Sequence, residues 1–240
     1  MLQSVGQVPG FSIQAMDGEI GVIEDLYFDD LRWSVRYLVV RTGTWLSGRR
    51  VLISPVSVQR LDWPQRRLHV ALTREQVKGS PDIDEEKPVS RQHETDLSAY
   101  YGWPIYWNIE PFGFEPVPVA MPWAQPLPPP DKPANGDPHL RSAHEVKGYR
   151  IEAQNGSVGH LSDFVFDEDA WQIRLIVADA GQWLHHRFLL LRPEWIQSIS
   201  WAERHLTVRL SVDSIRTSPQ FHPAFPLRAE DAEQLLRHYE

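Results

Sequence analysis

The chain has 240 residues, 42% of them hydrophobic and 23% charged, with 20 prolines, 10 tryptophans and no cysteine. That length admits one or two domains, each able to bury a core, and the absence of cysteine excludes disulfides, thiolate metal sites and cysteine nucleophiles. A formal charge of -8, from 24 basic against 32 acidic side chains, speaks against a nucleic-acid binder, which needs clustered Lys and Arg to displace counterions.

The opening stretch MLQSVGQVPG lacks the basic and apolar regions of a signal peptide, and no apolar run approaches the roughly 20 residues that cross a bilayer. A soluble, cytoplasmic protein without a membrane span is expected. Residues 22–28 alternate in polarity, Asp29-Asp30 is turn chemistry, and residues 33–41 (WSVRYLVVR) are β-branched and aromatic, so the pair predicts a hairpin. Shorter strands are predicted over residues 50–54, 58–62 and 67–72, the last two joined by a turn at Trp63-Pro64-Gln65-Arg66. Thr73 caps a predicted helical turn that Gly79-Ser80-Pro81 stops, and a second helix is predicted over residues 94–101.

Residues 102–147 then hold 11 of the 20 prolines, a composition that favours extended conformation over a packed domain. The stretch is also aromatic, with Trp103, Tyr106, Trp107, Phe112, Phe114 and Trp123. Those six are the candidate partner-binding residues. Either they pack back on the first unit or its seam with the second, or they form an exposed adhesive segment that a partner recognises.

Beyond this connector the chain repeats itself. Adding 138 to a residue number maps residues 10–101 onto 148–239 without a gap, with identities that include Gly18/Gly156, Gly21/Gly159, Asp25/Asp163, Phe28/Phe166, Trp33/Trp171, Arg36/Arg174, Arg49/Arg187 and Trp63/Trp201. The expected organisation is one domain over residues 1–102, a Pro/aromatic-rich connector over 103–147, and a second domain over 148–240. Five or more short strands per unit predict a mainly β fold of two tandem small barrels, since closure removes reactive edges. Each barrel would end in a short helical tail.

The repeated pattern G-x-x-G-x-x-x-D-x-x-F-D, the Trp opening the second strand, the LVV-like run, G-x-W-L-x-x-R and the later Ser-Pro together resemble the PRC-barrel family, named for the cytoplasmic domain of the photosynthetic reaction centre H subunit. The resemblance covers both units and implies compact β-barrels that dock onto other macromolecules, with no known catalytic constellation. It also implies an alternative role, as an accessory factor in RNA metabolism or ribosome assembly.

Candidate chemistry is sparse. The acidic groups Glu24-Asp25, Asp29-Asp30 and Asp167-Glu168-Asp169 lack the glycine and terminal Glu of a calcium loop and read as turn and strand-end residues. Asp25/Asp163, repeated and polar within a strand, is expected to pair with Arg36/Arg174 or Arg49/Arg187, or to serve binding. His185-His186 are neighbours on opposite strand faces and do not read as metal ligands. No catalytic set recurs in both units, and the repeated tryptophans read as core or rim packing. The expectation is therefore a non-enzymatic binding or assembly module for protein partners, with no cofactor or metal. Its two units would pair as an intramolecular pseudo-dimer, leaving room for a homo-oligomer.

Overall fold

A computed structural model describes residues 1–81, 91–104, 139–181, 187–221 and 237–238. The first repeat contributes β1 (Leu2–Ser4), β2 (Ser12–Ala15), β3 (Gly18–Asp29), β4 (Ser34–Thr42), β5 (Arg50–Ile53), β6 (Val58–Asp62), β7 (Arg67–Val70), α1 (Arg74–Lys78) and α2 (Arg91–Tyr101). The second contributes β8 (Leu140–Ser142), β9 (Arg150–Ala153), β10 (Gly156–Asp167), β11 (Gln172–Asp179), β12 (Phe188–Leu191), β13 (Ile196–Ser200), β14 (His205–Val208), α3 (Val212–Arg216) and β15 (Gln220–Phe221). The fold is mainly β, and from β1 to α1 each first-repeat element has a counterpart in the second.

Local chemistry explains the elements. The carboxylate of Asp29 accepts the N–H groups of Leu31 and Arg32 at 2.8 Å each, and its carbonyl accepts Trp33 N–H at 2.7 Å. This fixes the β3–β4 turn. Trp33 closes that turn at φ 55° and Trp171 closes the equivalent one at φ 53°, a left-handed conformation uncommon for a bulky residue. Thr73 and Gln76 form a reciprocal capping box at the start of α1. In β4 the consecutive residues Tyr37, Leu38, Val39 and Val40 are all buried. One face meets the main core, and the other lies under Leu97 of α2.

The exchange of β1 and β8 decides the architecture. β1 does not pair within its own repeat; it runs antiparallel to β10, with Leu2 opposite Asp167. β8 does the converse and runs along β3, with Leu140 opposite Asp29. These registers are equivalent under the same offset. Between them β4 meets β11 at Ser34 opposite Gln172, two residues that are each other's counterparts. A residue faces its own counterpart only on a twofold axis. The flanking bonds agree, with Val35 N–H donating to Trp171 O at 2.8 Å and Ile173 N–H to Trp33 O at 2.7 Å.

The expected pair of barrels, each closed on itself, gives way to a single mixed sheet of 15 strands in the order β13-β14-β9-β10-β11-β4-β3-β2-β7-β6, from which β1, β12, β5 and β8 branch by pairing with β10, β11, β4 and β3, and β15 pairs with β12. The reason lies in the two long strands. The first half of β3 pairs with β2, while its last residues pair with β8 from the other repeat, so hydrogen bonding continues across the junction. One apolar cluster spans both repeats, and Phe28 meets Phe164 there with ring centroids 5.1 Å apart. β8 itself lies inside the Pro-rich stretch of the sequence.

Candidate docking surface

The exchanged segments are fastened by the repeated aspartates. Asp25 Oδ2 accepts the Ser142 hydroxyl at 2.5 Å, and Oδ1 accepts the N–H of His144 at 3.1 Å. The counterpart Asp163 accepts the Ser4 hydroxyl at 2.5 Å and the Gly6 N–H at 3.0 Å. A β-bulge precedes each aspartate, and a bulge turns a side chain out of its regular alternation. The expected pairing with repeated arginines is thus corrected. Arg36 and Arg174 lie 3.9 Å from Asp29 and 3.7 Å from Asp167, whereas Arg49 and Arg187 reach carbonyls at the ends of α1 and α3. Each aspartate needs donors that only the other repeat supplies.

Burial pushes the Asp25 carboxyl above the ordinary carboxylate range, although the Ser142 hydroxyl and the N–H groups of Leu26 and His144 pull it back. Asp30 is raised for the same reason, opposed by Arg141 and by His139, which stand 3.1 and 3.0 Å from its oxygens. Both sites belong to the seam between β3 and β8.

Beside the twofold axis an open groove of about 730 Å3 runs between the repeats. Leu2, Leu31, Trp33, Leu175 and Pro193 give it apolar walls. Arg32, Arg174, Arg192 and Arg209 line it together with Glu194. Arg192 is held by Glu194 through two contacts of 3.0 Å. Arg32 and Arg174 each stand 3.7 Å from an aspartate of their own turn, Asp29 and Asp167. Arg209 is exposed, and no carboxylate among the described residues pairs with it.

The groove has no charged twin across the axis. Under the offset, Arg32 corresponds to Ala170, Arg192 to Ser54, Arg209 to Ala71 and Glu194 to Val56. Only Arg174 has an arginine counterpart, Arg36. The Ser4/Ser142 and Asp25/Asp163 pairs of the seam recur in both copies, while most charges of the groove do not.

Of the candidate partner-binding aromatics, Trp103 is half-buried and stacks on Tyr101 at 4.1 Å, against the cluster beneath α2. Tyr106, Trp107, Phe112, Phe114 and Trp123 lie outside the described residues, as do Trp183 and His185-His186. The repeated tryptophans that are described pack as follows. Trp171 is buried and Trp33 half-buried in the shared core. The Trp45 indole N–H donates to Ile20 O at 2.7 Å, the Trp63 N–H donates to Glu168 at 2.5 Å, and Trp201 lies under the Arg141 guanidinium at 4.3 Å. The Trp63 contact crosses between repeats. Glu24 is bridged by Arg41 at 2.8 Å and Arg50 at 2.6 Å, a structural role for one of the acidic groups.

Two sets of residues escaped the sequence reading. The offset holds earlier than residue 10, at Leu2/Leu140, Ser4/Ser142 and Val8/Val146, which would have revealed β1 and β8 as counterparts. The groove arginines would have emerged by looking for charge that one copy has and the other lacks. Among the described residues, no His, Asp and Glu converge into a group that could hold a metal ion, and no helix is long and apolar enough to cross a membrane. No protein-family model matches the chain. Comparison with curated proteins likewise gives no match.

Proposed function

We propose that this chain is a non-enzymatic docking or assembly module of the PRC-barrel type, working in the cytoplasm, whose two repeats form an internal pseudo-dimer that offers a protein partner one groove. The observation that carries this reading is where the internal symmetry is kept and where it is dropped. The serine–aspartate pairs that fasten one repeat to the other are the same in both copies, whereas Arg32, Arg192, Arg209 and Glu194 are present on one side only. Stability of the fold needs no such difference, because Ala170, Ser54, Ala71 and Val56 occupy the equivalent places. An apolar wall with arginines around it is the composition of a protein interface, where Arg and aromatic residues are enriched. The family resemblance, carried by motif positions in both repeats, supports the same reading.

The test is cross-linking of the full chain in lysate of its host, side by side with the R192E/R209E variant. A protein captured by the wild type, unaffected by nuclease and lost with the variant, supports the reading. Capture that nuclease abolishes would replace it with a role in RNA metabolism or ribosome assembly, and turnover of a substrate at the groove would replace it with an enzyme.

A further inference from the structure

The groove also specifies the chemistry of what it takes, an inference that rests on the docking role just proposed. Its cations are partly answered already. Arg192 is paired by Glu194, and Arg32 and Arg174 each face an aspartate at 3.7 Å, which leaves Arg209 and the outward edges of Arg32 and Arg174 for a ligand. Guanidinium edges match carboxylates in a planar, two-pronged geometry. A phosphate chain would meet too few unanswered cations and would pass the exposed Glu194. The walls meanwhile demand an apolar group, because Leu31, 64% exposed, and half-buried Trp33 line the groove together with Leu175. The volume lies in the range of clefts that hold small ligands or short peptide segments, about 300–1,000 Å3.

We infer that the groove between the repeats binds a short acidic segment of a partner protein, with a leucine or aromatic side chain seated against Trp33, Leu31 and Leu175 and flanking carboxylates held by Arg32, Arg174 and Arg209. One carboxylate on each side of the apolar residue satisfies the free guanidinium edges, and a longer acidic run would face Glu194. Binding of this kind weakens only modestly with salt, because few ions are displaced and part of the contact is apolar.

The experiment titrates the full chain with the fluorescent peptide Ser-Glu-Leu-Asp-Ser, with the same peptide carrying Lys in place of its acids, and with oligouridylate. Saturable binding of the acidic peptide, absent for the Lys peptide and weakened roughly tenfold or more by R209E and by R32E, is expected. These side chains are exposed, so unchanged melting curves verify that both variants fold. R209K, which keeps the charge but loses the fork, should recover part of the affinity. Absence of binding by the acidic peptide, equal binding by the variants, or displacement by oligouridylate each overturns the inference. Should it fall while R192E/R209E still abolishes protein capture from lysate, the docking role survives with a different ligand; if capture is also unaffected, both fall.

Discussion

The Ser142 hydroxyl donates to Asp25 at 2.5 Å, and this bond ties a strand of the second repeat onto a strand of the first. Ser4 makes the mirror contact with Asp163, also at 2.5 Å. A hydroxyl bonded to an ionised carboxylate contributes more than a neutral pair, about 1.5–3 kcal/mol. Ser142→Ala and Ser4→Ala should each lower the stability of the full chain by about that amount in urea titrations. Because the sites are separate, the double variant should approach the sum of the two. Losses confined to one of the serines would contradict the twofold exchange.

Asp25 gives the seam a pH dependence. Its folded carboxyl titrates above the ordinary value of about 3.9 because burial disfavours the charge. The folded state therefore holds more protons than the unfolded state between that value and the raised one. The associated stability is complete below the ordinary value and declines as pH rises through the window. Asp25→Asn removes this titration while keeping an oxygen for the Leu26 and His144 N–H groups. Relative to the wild type, the variant should fare worse at acid pH than at neutral pH, as followed by denaturation at several pH values. Parallel profiles for the two proteins would refute it.

Gly21 and Gly159 sit where β3 and β10 press against the neighbouring strand. A Cβ at either would lie 2.0 Å from a backbone oxygen, that of Arg41 or Asp179. Backbone on both sides leaves little to move, so Gly21→Ala should destabilise by about 3 kcal/mol or more. Thermal unfolding would reveal it, and a near-neutral outcome would mean that the strands are spaced more widely.

Arg66 and Arg204 occupy the same turn in the two repeats at φ 49° and 56°. Arg204 is exposed, whereas Arg66 donates to Pro9 O at 3.0 Å and covers the Phe11 ring. Glycine relieves the left-handed strain without steric cost. Arg204→Gly should therefore raise stability by up to about 1 kcal/mol, while Arg66→Gly should gain less or lose. A melting comparison of the two variants separates strain from contact.

The sequence was most legible where the physics is local. Asp29 and the residues after it make the β3–β4 turn through bonds two to four residues long, and the alternation of β3 and the Thr73 cap are equally short-range. The offset of 138 then carried the same elements into the second repeat. Asp25 marks the limit, for its position was conspicuous but its partner was not. Nearby arginines were the obvious local choice, yet the donors come from Ser142 and His144, more than a hundred positions away.

By itself the sequence determined a duplicated, mainly β chain with its strands, turns and caps in register, because those features depend on side-chain period and on bonds between near neighbours. Only the tertiary structure decided that β1 and β8 change places, that one sheet and one core span both copies, and that Arg32, Arg192 and Arg209 share a groove. Backbone N–H and C=O groups are alike in every strand, so no local pattern tells a short strand which repeat to join. That choice is made by the burial of apolar side chains from both repeats at once, and by the paired seam contacts of Ser4 with Asp163 and Ser142 with Asp25.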